Sequence, residues 1–250
     1  MFPPEPDMCD WARHARRAAQ RAVADPSHAA QFQCKGTWFV GLDALDNDPQ
    51  GRVAGAGPLR GAAVEAIRAV HGWPALHRAQ ISITYPDYPK PRATETDAAF
   101  AYRRDRDAAH VDGVLGLGSP KRRFVREPHS FILGVPLTDA APQAAPLVVW
   151  DGSHRIMRDA FARAFAGRDP ATLGDLDVTE TYQAARRTAF ETCARVVVHG
   201  APGSAYVVHR LALHGVAPWG QGATAAPEGR MIAYFRPPMP GGAAAWVAAG

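Results

Sequence analysis

A mainly β fold with flanking helices, of the double-sheet jelly-roll kind, is predicted for this 250-residue chain by three observations. About eight short β-rich runs recur along it, Pro- and Gly-rich turns separate them, and helical patterns are confined to the first third and to one stretch between two of the runs. Many short, turn-punctuated strands suit a sandwich or barrel, and eight suit two facing sheets. With 47% hydrophobic residues the chain can bury a sizeable core. Neither an internal repeat nor a linker divides it, so residues 1–250 read as one domain, helical over about 1–75 and β over about 80–240.

Asp10 is the expected N-cap of a first helix running to about Ala24, with Trp11, Ala15, Ala18, Ala19 and Ala22 on one face. A second helix spans about Gly61 to His71, where Ala63, Ile67 and Val70 recur at helical spacing and Gly72 with Pro74 stops it. Asp46 to Arg60, rich in Gly, Pro, Asn and Asp, reads as a loop; its GAGPLRG lacks dinucleotide-loop spacing and reads as a turn. Strands are expected in GTWFVGLDAL, QISITYP, AAHVDGVL, HSFILGVPL, PLVVWDG, RVVVHG, GSAYVVHRL and GRMIAYFRP. Two helices fall between the fifth and sixth runs, Ile156 to Ala166 with Ser153 as its cap, and Thr179 to Cys193. The Ala- and Gly-rich tail after Pro240 is expected to fray.

The net charge of +4 is carried mostly by arginine, without a stripe of basic and aromatic residues, so no nucleic-acid partner is expected. No run of about 18 apolar residues offers a membrane span, and the N-terminus lacks the apolar centre of a secretory signal. A cytoplasmic location is expected. Cys9, Cys34 and Cys193 match neither a disulfide framework nor a zinc spacing and read as reduced bystanders.

The chemistry-bearing pattern is HVDG at His110 to Gly113 with His214 about a hundred residues later. A His and an Asp two apart on a strand point to the same side, and a His from another strand can complete one face of an octahedron. Two imidazoles and one carboxylate so placed form the facial triad of non-haem Fe(II) oxygenases, which leaves three coordination positions open. His209, five positions before His214 on the same expected strand, faces the other way. His154, His129 and His199 read as framework residues.

Four segments in order, HVDG, FILGVPLTDAAPQAAPLVVWDGSHR, GSAYVVHRLALHGVAPW and GRMIAYFRP, resemble the phytanoyl-CoA dioxygenase-like branch of the Fe(II)/2-oxoglutarate oxygenases. They span Ala108 to Pro237, about half the chain. The resemblance implies a cupin-like double-stranded β-helix in which His110, Asp112 and His214 hold Fe(II) and are the catalytic residues. It also implies 2-oxoglutarate and O2 as co-substrates and hydroxylation of an aliphatic C–H bond, with release of succinate and CO2. Asp112 favours hydroxylation, since related halogenases lack the carboxylate.

By the same resemblance Arg230 binds the far carboxylate of 2-oxoglutarate, with Arg236, on the same strand face, as the alternative. Sixteen residues separate His214 from Arg230, more than the usual family interval, and Val216 stands where the family often has a hydroxyl; Thr84 or Tyr85 is expected to supply that hydrogen bond. The expected partner is a small-molecule substrate. An anionic group on it would meet Arg103, Arg104, Arg106, Lys121, Arg122, Arg123 or Arg126, against the plainer reading of a solvated basic face. Tyr102, Trp150 and Tyr206 are candidate cavity walls. Two other readings stand beside the oxygenase: a non-catalytic metal-binding jelly roll that binds a ligand, and a zinc-dependent hydrolase on the same three residues. The sequence carries no signal for the oligomeric state.

Overall fold

The computed structural model describes residues 1–248, in which helices flank antiparallel sheets. The elements run α1 (Pro6–Ala24), β1 (Phe32–Gln33), β2 (Trp38–Gly41), α2 (Ala62–His71), β3 (Gln80–Thr84), α3 (Asp97–Asp105), β4 (Val114–Leu117), β5 (Arg122–Val125) and β6 (Phe131–Pro136). They continue with β7 (Leu147–Trp150), α4 (Ser153–Phe165), α5 (Thr179–Thr192), β8 (Arg195–Val198), β9 (Tyr206–His209), β10 (His214–Val216), β11 (Arg230–Phe235) and α6 (Gly242–Ala248). A six-stranded sheet has the order β1-β2-β3-β11-β6-β9, a three-stranded sheet the order β10-β7-β8, and β4 with β5 forms a hairpin.

The period-two alternation of strands sorts side chains into layers. On β11, Met231, Ala233 and Phe235 join Ile81, Ile83, Leu133 and Val135 in an outer core against Trp11, Ala12 and Ala15 of α1. Ile232 and Tyr234 face the other way and meet Ile132, Val208 and Leu147, so the two sheets pack against each other there. Beyond the three-stranded sheet, Val148 and Trp150 pack on Met157, Phe161, Tyr182 and Trp246 of the helical layer.

Several elements depart from the sequence expectation for identifiable reasons. α1 starts at Pro6, four residues before Asp10, because proline has no N–H to lose at the first helical position and its φ is already helical. Glu5, preceding it, reaches across to accept the Ala62 amide at the start of α2, 2.8 Å away. Ser153 does not cap α4; Gly152 at φ 81° makes the turn, and Ser153 Oγ accepts the Leu213 amide at 2.9 Å, pinning the chain just before His214. The tail after Pro240 does not fray over its described part: it forms α6, with Trp246 fully buried and its carbonyl accepting from Arg210 Nε at 2.8 Å. α3, β1 and the strand β5 had no apolar periodicity to announce them.

Candidate metal centre

The run expected as a strand through HVDG is only a bridge residue followed by a turn. His110 and His214 exchange backbone hydrogen bonds, His110 N–H to His214 O at 2.8 Å and His214 N–H to His110 O at 3.0 Å, and the chain then turns at Asp112 and Gly113. This bridge extends the three-stranded sheet beyond β10, so residues a hundred positions apart become immediate neighbours. The approach is tight. A side chain on Gly215 would collide with the Asp107 carbonyl, and one on Gly113, at φ 84°, with the Glu127 carbonyl. Asp107 and Ala108 themselves sit at φ 52° and 54°, sparsely populated for residues with a Cβ, and Arg195 clamps Asp107 through two bonds of 2.7 and 2.9 Å.

Around that bridge the three side chains converge. One donor atom from each of His110, Asp112 and His214 lies within 4.8 Å of the others, a spacing that a single metal ion can span, and among the described residues this is the one such cluster. Asp112 Oδ1 faces both imidazoles, 3.1 Å from His110 Nε2 and 3.7 Å from His214 Nε2. Each Nδ1 is committed to a backbone carbonyl, Ala108 at 3.0 Å and Ala212 at 2.9 Å. That bond keeps a proton on Nδ1 and turns Nε2, the atom a metal would use, toward the shared point.

Burial and charge act on the three groups together. Burial holds His214 down, to a pKa of about 4, with His110 working in the same direction and Asp112 against it. Desolvation in the cavity wall opposes a charged His110, whose side chain is nonetheless 48% exposed, and the Asp112 carboxylate outweighs it and raises that pKa. Asp112 resists burial's pull toward neutrality because His214, His110 and Arg236 hold its pKa well below the carboxylate range. The result is an ionised carboxylate beside a neutral His214 in ordinary buffer. Those two groups are already in the form a divalent metal requires, while a metal binding at His110 Nε2 would displace the proton that Asp112 favours there.

The cavity in front of the triad measures about 210 Å³ and is walled mostly by apolar side chains, among them Trp38, Val40, Ile132 and Val208, with Gln80, Ser82, Tyr234 and Arg236 as polar members beside the triad. The expected walls are elsewhere. Tyr102 is exposed beneath Arg186, Trp150 packs on Phe190, and Tyr206 lies deeper, donating its hydroxyl to Tyr234 at 2.9 Å. None of the seven basic residues near HVDG lines this cavity: Arg103 pairs with Glu95, Arg104 with Asp105, Arg122 with Asp177 and Arg126 with Asp175.

The two candidate anchors occupy opposite ends of β11. Arg236, 21% exposed, donates from Nη1 to Asp112 Oδ2 at 3.2 Å. Arg230 is buried, sits directly opposite Thr84 in register, bonds to the Tyr206 hydroxyl and, among the described residues, pairs with no carboxylate. Thr84 Oγ1 is itself fully buried without a hydrogen-bond partner. Tyr85 is not with them: the strand alternation turns it to the outer face, where it stacks on Phe32 with ring centroids 6.4 Å apart. His209 also moves away, since the chain leaves the six-stranded sheet after it and turns before His214; its ring lies 4.7 Å from that of His154. The contact of Arg236 with Asp112 was the feature missed in sequence, although period two along RMIAYFR already placed it on the face of Tyr234.

No family model matches this chain, and no curated protein matches it. Among solved structures it is similar to the non-heme alpha ketoglutarate dependent carbocyclase SnoK from nogalamycin biosynthesis, with 15% identity and a TM-score of 0.36 over 64% of this chain and 48% of that one. The chain spans about half the length of that protein, and a similarity this distant assigns it no activity. No helix of the described residues is long and apolar enough to cross a membrane.

Proposed function

We propose that this protein is an Fe(II)- and 2-oxoglutarate-dependent oxygenase that hydroxylates an aliphatic C–H bond of a small molecule. The observation that carries the reading is the convergence of two Nε2 atoms and one carboxylate oxygen on one point, each imidazole held by a carbonyl behind it. A donor set of two nitrogens and one oxygen suits ferrous iron and leaves three positions for co-substrate and dioxygen. The reading takes residues 1–250 as one cytoplasmic domain with a jelly-roll core, of the phytanoyl-CoA dioxygenase-like branch. The facing six- and three-stranded antiparallel sheets support that core.

Arg230 and Thr84 do not line the cavity of the triad, and they support an anion site behind its Tyr234 wall. A buried guanidinium without a carboxylate partner and a buried hydroxyl without any partner are costly unless a ligand completes them. Arg230 and Thr84 would hold the far carboxylate of 2-oxoglutarate, with Tyr206 and Tyr234 linking that end to the cavity. Iron with 2-oxoglutarate and dioxygen supplies the oxidising power that turns C–H into C–OH, releasing succinate and CO2. His110, Asp112 and His214 would orient the metal. The apolar walls would seat the aliphatic part of the substrate and keep water from the site.

Anaerobic addition of Fe(II) and 2-oxoglutarate tests the reading. A weak visible charge-transfer band in the full-length protein, lost in His214→Ala, is the expected result. Tight retention of zinc with no such band would replace the oxygenase with a hydrolase or a binding protein.

A further inference from the structure

We infer that Arg236 is a positioning residue that biases Asp112 to a single metal-binding oxygen and so keeps a fourth coordination position free. The inference rests on the metal site proposed above and deepens it. The two oxygens of Asp112 have different partners. Oδ1 faces the two imidazole nitrogens, at 3.1 and 3.7 Å, whereas Oδ2 accepts from Arg236 Nη1 at 3.2 Å. A guanidinium bonded to the outer oxygen takes one of its lone pairs and places positive charge on that side, which disfavours a metal there and biases it to the other oxygen.

Two imidazoles and one oxygen use three of six octahedral positions, while a carboxylate chelating through both oxygens would use a fourth. A co-substrate that takes two positions then leaves one vacancy in the first case and none in the second. The guanidinium decides between these by its hold on Oδ2.

Arg236 is itself firmly held. Its backbone N–H donates to His77 Nε2 at 3.0 Å, and the Pro237 and Pro238 that follow are tied down by bonds from Ser130, through N–H to Pro237 O at 2.8 Å and through Oγ to Pro238 O at 3.0 Å. It sits one residue past the end of β11, on the face that carries Tyr234, so the strand period aims it at the triad. Its side chain is 21% exposed against 9% for Asp112, so the pair stands at the cavity rim with the arginine outermost.

The test is Co(II) titration of the metal-free full-length protein, followed by ligand-field absorption, which reports coordination number without turnover. Arg236→Leu and Arg236→Gln are expected to weaken Co(II) binding roughly 10- to 100-fold, the usual cost of losing a residue that orients a ligand, and to shift the band as the second oxygen joins. Arg236→Lys, which restores charge without the planar fork, is expected to recover part of both. Should Arg236→Leu fail to fold, the Gln and Lys variants carry the comparison. An unchanged affinity, an unchanged band, or an effect confined to the KM of an organic substrate would overturn the inference and make Arg236 a wall or a substrate contact. If the wild-type chain takes up no Co(II), or His214→Ala binds it as tightly as wild type, the metal site itself fails and this inference with it. If wild type binds normally and the arginine variants match it, only this inference falls.

Discussion

Arg230 and Arg236 lie on one face of one strand, six residues apart, yet they are opposites in their surroundings. Arg236 is at the rim and neutralised by Asp112; Arg230 is buried, with hydroxyls for neighbours and no carboxylate among the described residues. A buried cation with its counter-charge in the chain is part of the framework, whereas one without it is a standing cost that a bound anion would relieve. The period of the strand makes both arginines face inward, and only their partners separate their roles.

The largest effect that would break this comparison is at the triad. His214→Ala should abolish stoichiometric metal uptake and with it 2-oxoglutarate-dependent succinate release, as read by metal analysis and coupled assay. Retained uptake would mean that His214 is no metal ligand and that Arg236 stands beside no metal site. Next, Arg230→Met should raise the KM for 2-oxoglutarate roughly 10²-fold, the cost of truncating one partner of a desolvated charge pair. The same change should stabilise the ligand-free protein by about 1–2 kcal/mol, because it removes an uncompensated buried charge. A thermal melt that moves down instead would mean that Arg230 already has its partner.

Arg103 sharpens the comparison, because its bidentate pair with Glu95, at 2.8 and 2.7 Å, is internally compensated, with both side chains nearly buried. Glu95→Gln should therefore destabilise the fold by roughly 3 kcal/mol at neutral pH. The Arg103 bond holds the Glu95 carboxyl to a pKa of about 2, below its ordinary 4.5. A depressed carboxylate stabilises fully above its unfolded value and loses that contribution as pH falls through the folded one. The wild-type advantage over Glu95→Gln should thus shrink between about 4.5 and 2 in acid-denaturation curves. The smallest effect is expected at Thr84: replacement by Val should weaken 2-oxoglutarate by about 1 kcal/mol while leaving stability unchanged or slightly higher, since Thr84 Oγ1 has no partner to lose.

Much of the scaffold was legible because burial imposes periodicity. All the expected strands except the HVDG run coincide with observed ones, and α2 begins and ends within a residue of its predicted limits. The misses have physical causes. The β-propensity of its neighbours favours a strand at HVDG, but positive φ at Asp107 and Ala108 and the turn at Gly113 are held by tertiary contacts with Arg195, Val216 and Glu127. α6 was read as a frayed tail because alanine and glycine show no amphipathic stripe, and its one anchor, Trp246, is meaningful only against Phe161, 5.5 Å away.

What the chain determined by itself was the identity and facing of its chemistry: a His and an Asp two apart, a distant His before a glycine, and two arginines on one strand face. Those follow from side-chain type and the period of the backbone, which are local properties. Only the tertiary structure decided which atoms meet. It joined His110 to His214 through a backbone bridge, divided the two oxygens of Asp112 between imidazoles and guanidinium, and left Arg230 and Thr84 without charged company. Those pairings depend on the register and packing of segments far apart in sequence, and no local preference encodes them.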